Sequence, residues 1–144
     1  MGFTRNLADG IGQHLSATGA IAYKTSGTYL TSEVGLHLDQ LPTTPDRAVG
    51  LTLYPVTDSG NTDSIVGAQF RIRGRANNRA DVKDTGDAIF DALHDLQAVT
   101  LGGIPVVRVW RNSAASLGAD SSNRQEETHN YYLELTRTGT HRRD

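Results

Sequence analysis

Cysteine is absent from the sequence, which excludes disulfides, thiolate nucleophiles and cysteine-ligated zinc. There is no basic excess either, because 14 Lys and Arg stand against 16 Asp and Glu, giving a formal net charge of −2. A general nucleic-acid binder usually carries a strong basic excess, so the charge argues against that class. No apolar run approaches the roughly 20 residues that span a bilayer, and the N-terminus lacks the basic-then-apolar layout of a signal peptide. These absences favour a soluble protein made in the cytoplasm.

Motifs that carry catalysis or metal binding are also missing. Neither phosphate-cradling glycine pattern, GxxxxGK[ST] or GxGxxG, occurs, and no serine lies in a GxSxG elbow. The histidines have no metal-ligand spacing such as HxxxH, and we interpret them as scattered surface or rim residues: His14, His37, His94, His129 and His141. We therefore expect no catalytic residue, no cofactor and no metal site.

The most informative stretch runs from Val66 to Arg111 and has the pattern of a strand, a helix and a strand. Residues 66–76 alternate apolar and polar side chains, which predicts a strand with one buried face. Residues 80–96 place apolar side chains at spacings of three and four, the stripe of an amphipathic helix. Residues 104–110 are β-branched and nearly continuous, as in a central strand. Side chains predicted to share the core are Phe70, Ile72, Ile89, Leu93, Val107 and Leu133.

The remaining segments are shorter or less regular. The patterns predict a helix over 3–17 and strands over 20–23, 48–56 and 128–137. They predict loops over 24–32, 57–64 and 112–126. Segment 34–41 fits either a strand or a single helical turn. A turn is expected at Pro45–Asp46, and the strands flanking the 57–64 loop should form a hairpin.

This order of elements predicts an α+β fold. We expect one domain over residues 1–138, a mostly antiparallel β-sheet with two main α-helices packed on one face, followed by a flexible tail over 139–144.

Two charged sets could form an interface between subunits or with another protein. One lies on the polar face of the predicted strand and comprises Arg71, Arg73 and Arg75; the other lies on one side of the predicted helix and comprises Asp84, Asp91 and Asp95. Complementary charge would orient subunits, although solvated helix faces and exposed strands often carry charge without any partner.

The predicted loop over 112–126 is long, small and polar. Loops of this length within a domain are usually functional or disordered. We expect it to become ordered on contact with a partner, through residues such as Asn112, Asp120, Asn123 and Arg124.

Four features together resemble the tail terminator proteins of long-tailed bacteriophages, often labelled minor capsid or head–tail joining proteins. They are an N-terminal helix followed by AIAY, the segment LPTTPDRAVGLTLYPV, the alternation AQFRIRGRA followed by a helix, and the run SLGADSSNRQEETHNYYLELTR before the last strand. The likeness spans nearly the whole chain.

The resemblance implies a structural virion protein with an α+β fold. Such proteins form a ring, usually a hexamer, that caps the head-proximal end of the tail tube, terminates its polymerisation and offers a docking surface for the head. The implied partners are further copies of the chain, the tail tube protein and a head completion or connector protein. DNA would pass through the lumen without sequence-specific binding. The implied location is the virion tail, reached from the host cytoplasm during assembly, with no membrane contact, cofactor or catalytic residue.

Two functions of other classes remain open from the residues. One is a small enzyme or regulatory domain whose pocket is formed by the 112–126 loop. The other is a single-stranded nucleic-acid-binding module that uses the arginine column, Arg71, Arg73 and Arg75, although the same strand face has no aromatic side chains.

Overall fold

Two helices packed against a curled six-stranded sheet form the described part of the chain, residues 2–143 of a computed structural model. The elements are α1 (Phe3–Thr18), β1 (Gly35–Leu38), β2 (Ala48–Asp58), β3 (Asp63–Ala76), α2 (Arg79–Leu93), β4 (Gln97–Leu101), β5 (Ile104–Ala119) and β6 (Arg124–Thr136). The strand order is β1-β2-β3-β6-β5-β4, with β1 parallel to β2 and the other neighbours antiparallel. The predicted single-domain α+β fold is confirmed.

Helix α1 lies across the sheet and closes one side of the core. Its apolar residues recur every four positions, and Leu7, Ile11 and Leu15 are fully buried. The helix stops at Gly19, whose φ of 81° lets its N–H reach the last carbonyls. Gly10 weakens the helix by about 1 kcal/mol relative to alanine, but a Cβ there would lie 2.1 Å from the backbone nitrogen of Gly102. The glycine therefore allows α1 to touch the β4–β5 turn.

Helix α2 begins at a capped end and stops earlier than predicted. The Asn78 side chain accepts hydrogen bonds from the N–H groups of Ala80 and Asp81, which satisfies two free donors. The helix ends at Leu93 rather than at residue 96, because the chain turns at Asp95, with φ 62°, to enter β4. Strand β4 was missed, since five residues carry too little alternation to be recognised.

The core lies between the helices and one face of the sheet. Five of the six predicted core residues are buried there: Phe70, Ile72, Ile89, Leu93 and Leu133. The prediction for Val107 was wrong, because its side chain is 53% exposed. A β-bulge between Val106 and Arg108 shifts the alternation, so that Val106 and Val109 enter the core instead.

The predicted 112–126 loop is instead most of a β-hairpin. Strand β5 continues to Ala119 and β6 begins at Arg124, leaving a turn over 120–123. Alanine and serine have weak strand propensity, so the sequence alone gives little sign of a strand here. Pairing with β6, which is itself held by β3, extends β5 through this region.

The shorter predictions have mixed outcomes. The 48–56 strand and its hairpin with β3 are confirmed, whereas the expected strand over 20–23 is reduced to one bridge between Ala22 and Gly35. Segment 34–41 contains the strand β1. In the tail, the Arg142 guanidinium donates to the Ser64 hydroxyl at 2.8 Å. The expected flexibility of 139–144 stays a prediction, and its last residue lies outside the described range.

Candidate functional site

The predicted arginine column is not a continuous exposed surface, because Arg73 is buried. Its side chain is 3% exposed, and its Nε donates to the carbonyl of Asp46 at 2.7 Å while a terminal nitrogen donates to the carbonyl of Pro45 at 2.8 Å. The segment 42–46 folds over this end of β3 and covers the guanidinium. The assignment of Arg73 to an interface is therefore corrected: its charge anchors the chain's own segment.

The other two arginines of the column differ from each other. Arg71 is half-exposed and its Nε donates to Glu126 Oε1 at 2.8 Å, so part of its charge is compensated within the chain. Arg75 is exposed, and within residues 2–143 its side chain has no ion pair. Both lie on the face of the sheet away from the helices, on a strand near the middle of the sheet.

The exposed aspartates of α2 differ from the predicted set, because Asp95 does not belong to the helix. Asp84, Asp87 and Asp91 are exposed on the helix. Asp95 lies beyond the end of the helix and accepts a hydrogen bond from the Gln97 side chain at 2.9 Å, so it does not share the helix side. This placement of Asp95 corrects the sequence-based assignment.

Three of the four residues predicted to be ordered by a partner, Asp120, Asn123 and Arg124, make side-chain hydrogen bonds within the chain, whereas Asn112 is exposed on β5. Arg124 is 7% exposed; its Nε donates to Asp120 Oδ2 at 2.9 Å and a terminal nitrogen donates to the Thr43 carbonyl at 2.6 Å. The N–H of Arg124 also donates to Asp120 and lowers the pKa of that carboxyl. The Asn123 amide donates to Asn77 Oδ1 at 2.8 Å. The 120–123 turn therefore has hydrogen bonds within the chain, and the expectation that a partner orders this region stays a prediction.

Beyond Arg111, the outer edge of β5 lies open. Strand β4 pairs with β5 only over Ile104–Arg108, and His94 Nδ1 accepts the N–H of Arg111 at 3.1 Å. From Asn112 to Ala119 every side chain is exposed, and no described segment pairs with the edge that faces away from β6.

A second open edge lies on β2, at the opposite side and opposite end of the sheet. Strand β1 pairs with β2 only over Ala48–Leu51. Among residues 2–143, no strand covers the outer edge from Thr52 to Asp58. The sequence does not predict the two open edges, because they depend on how far β1 and β4 extend.

A buried charged group lies beneath α2. His129 is 4% exposed, so the prediction of surface or rim histidines is wrong for this residue. His129 Nε2 lies 2.9 Å from Glu127 Oε1, and Lys83 forms an ion pair with the other carboxylate oxygen. Burial alone would raise the pKa of Glu127, but the hydrogen bonds from His129 and Lys83 outweigh it and hold the pKa below its usual value.

A cleft of about 730 Å³ opens beside β1, between α1 and the 24–29 loop. Within it the Tyr23 hydroxyl donates to Asp9 Oδ1 at 2.9 Å. Burial, together with Asp9, raises the pKa of Tyr23 to about 12, so the phenol stays protonated and tied to its neighbour. Within residues 2–143 no three His, Asp or Glu side chains are grouped so that they could hold a metal ion. None of the helices in this part of the chain is both long and apolar enough to cross a membrane.

Comparisons with known proteins point to one family. The family model described as "Bacteriophage tail terminator protein" matches residues 14–137. The fold is similar to a chain of the solved structure described as "Virion of native gene transfer agent (GTA) particle", with a TM-score of 0.64 and 14% sequence identity. That similarity covers 95% of this chain and 100% of the other, and at such low identity it shows a shared fold. No curated protein matches the sequence.

Proposed function

The chain belongs to the bacteriophage tail terminator family, and from this premise we propose that it forms a closed ring of six copies on the head-proximal end of a tail tube. The observation that carries the proposal is the family match over residues 14–137. In this role the ring stops tube polymerisation and provides the surface on which the head connector docks. The work is structural: it requires interfaces and a lumen for DNA, and neither a catalytic group nor a cofactor.

The sheet has two unlike ends, which suit the two axial surfaces of such a ring. One end carries the 120–123 turn, the 42–46 segment and Arg75, and buried Arg73 and Arg124 hold these parts in place. The other end carries the β2–β3 turn and the C-terminal tail. A preformed tube end demands a surface of fixed shape, so we assign the first end to the tube and the second to the connector.

The exposed charged residues of β3 and α2 can be assigned to surfaces of the proposed ring. Arg75 lies at the end of the sheet assigned to the tube and away from both side edges, so it suits a contact with the tube, whereas Arg71 lies farther along β3 on the face away from the helices. Asp84 and Asp91 on α2 are exposed and belong to the outer surface of the ring or to a contact made there. Exposed charges of this kind orient partners and contribute only about 0–1 kcal/mol per pair.

The other two functions considered from the sequence lose the residues on which they depended. The pocket-forming loop over 112–126 is a paired hairpin, and the middle member of the arginine column, Arg73, is buried.

The test of the proposal is the length of tail tubes assembled from the cognate tube protein. We expect tubes grown with the protein to stop at one end, and electron microscopy should show a ring there. Arg75→Glu should weaken capping, whereas Arg143→Glu, an exposed control at the opposite end of the sheet, should cap normally. Tubes that grow equally long with and without the wild-type protein would refute the proposal. If Arg143→Glu is the defective variant, the assignment of the two ends is reversed.

A further inference from the structure

The open edge of β5 lacks the features that keep strand edges from pairing. Soluble proteins protect edges with charged residues, prolines or covering segments. Residues 112–119, NSAASLGA, contain no charge and no proline, and Leu117 is 51% exposed. Bulges flank its regular part, but Ser113–Ser116 pair in unbroken register with β6. This leaves a regular four-residue stretch whose outward N–H and C=O groups face no strand within residues 2–143.

The open edge of β2 is placed so that it can pair with the open β5 edge of a second copy. The strands β2, β3, β6 and β5 alternate in direction, so β2 and β5 run antiparallel at the two sides of the sheet. Because the two ends of the sheet form the axial surfaces of the proposed ring, the strands run along the ring axis, and rotation about that axis keeps their directions. The β5 strand of one copy therefore meets β2 of the next in antiparallel orientation. The β5 edge is open at one end of the sheet and the β2 edge at the other, which matches the tilt of strands in a closed barrel.

We propose that the open edge of β5, residues 112–119, pairs with the open edge of β2, residues 52–58, of the next copy, joining the sheets around the ring. This inference rests on the proposed function and specifies its subunit contact. The contact is heterologous, one patch meeting a different patch, as a closed ring requires.

Charges of both signs lie on the helix-covered face beside the two edges, so strand direction and not charge selects the partner edge. Next to the β5 edge, the Phe90 ring of α2 lies 4.4 Å from Arg111 Cζ, and exposed Asp87 precedes it by one turn. Beside the β2 edge, Arg5 and Asp39 line one groove along the strand, and Arg137 and Asp58 line another. A closed ring requires a heterologous contact, so the β5 edge pairs with the β2 edge of the next copy rather than with a second β5 edge.

Proline limits the length of the new ladder. Pro55 has no N–H to donate, and a bulge lies between Pro55 and Thr57. Each contact therefore contains few backbone hydrogen bonds, and a stable assembly depends on closing the ring.

Disulfide trapping tests the contact without background, because the chain has no cysteine. One set of double variants places cysteine at Ser113, Ala114, Ala115 or Ser116 in β5 together with Val56→Cys or Thr57→Cys in β2. Cross-strand neighbours bring Cα atoms within the roughly 4.4–6.8 Å that a disulfide spans. The matched control pair is Arg75→Cys with Asp91→Cys, which reports a contact between the charged surfaces instead.

The possible results distinguish a failure of the β5–β2 pairing from a failure of the proposed function. Native mass spectrometry first establishes whether each variant assembles, alone or on tube ends. We expect oxidation to link the β5–β2 pairs into closed covalent rings while the control pair stays unlinked. If rings form and no β5–β2 pair links, the inference is overturned and the proposed function stands. If no ring forms under any condition, both fail together.

Hydrogen exchange provides a second, independent measurement on the wild-type protein. Outward-facing amides of residues 112–116 should exchange quickly in the monomer and at least tenfold more slowly in the ring, since only strand pairing occupies them. Equal exchange in both states would contradict the inference even if some cysteine pairs link.

Discussion

Arg73 holds one end of the sheet together from a buried position. Its guanidinium donates to carbonyls of the 42–46 segment, and hydrogen bonds from charged groups contribute about 1.5–3 kcal/mol each. We expect Arg73→Ala to cost about 2–4 kcal/mol in unfolding free energy, because the carbonyls lose a buried charged donor. The control is Arg75→Ala on the same strand, which should change stability by less than about 0.5 kcal/mol. Equal effects in denaturant titrations would mean that Arg73 does not anchor the segment.

Leu93 and Val107 test the assignment of core and surface. Leu93 is 2% exposed at the end of α2, whereas Val107 is 53% exposed beside the β-bulge. Leu93→Ala should cost about 2–5 kcal/mol, the usual range for a buried leucine. Val107→Ala should cost less than about 0.5 kcal/mol, as at other surface sites. A larger effect at Val107 would show that the bulge is misplaced.

Glu127 gives stability a dependence on pH. Its pKa is lowered in the folded chain, so its contribution is present above the ordinary Glu pKa of about 4.3 and is lost as the pH falls through the lowered pKa. Glu127→Gln should cost about 1–3 kcal/mol at pH 7, chiefly through the bond to His129, because Lys83 is 63% exposed and its ion pair is screened. Thermal melts should show the difference shrinking below about pH 4.

The control for this variant is Glu134→Gln, at an exposed position of the same strand, which should leave stability nearly unchanged. A deficit of Glu127→Gln that stays constant from pH 7 to pH 3 would point to lost packing rather than lost charge.

At the scale of elements, the spacing between α2 and the sheet depends on Gly86. A Cβ at this position would lie 2.8 Å from the His129 ring, closer than real Cβ contacts come. Gly86→Ala should therefore cost about 1–3 kcal/mol by overpacking, although alanine is the better helix former by about 1 kcal/mol. Gly60→Ala, with nothing within 4 Å of the new Cβ, is the control. A stabilised Gly86→Ala would contradict the observed helix–sheet distance.

Periodicity predicted the elements that have one buried face and missed those held by their neighbours. Strand β3 and helix α2 carry clear apolar stripes, and both lie where the sequence placed them, apart from the early end at Leu93. The outer half of β5 has no alternation, because Asn112–Ala119 is exposed on both faces. Its strand conformation comes from pairing with β6, a non-local interaction that no window of sequence contains.

At the scale of the whole molecule, non-local contacts also limited the prediction of the candidate interface residues. Charge patterns located Arg71, Arg75, Asp84 and Asp91 at the surface, but burial of Arg73 under a distant segment was not encoded near it. The open edges of β5 and β2 follow from how far β1 and β4 extend, so topology had to be known first. The sequence was sufficient for the family and fold, whereas the proposed subunit contact rests on strand edges that only the structure shows.

Electron cryomicroscopy of purified tails, with this chain located by a bound antibody fragment, tests the central claim most directly. We predict one closed ring of the chain at the head-proximal end of each tail and none along the tube. Copies distributed along the tube, a ring only at the opposite end, or tails of normal length that lack the chain would contradict the account.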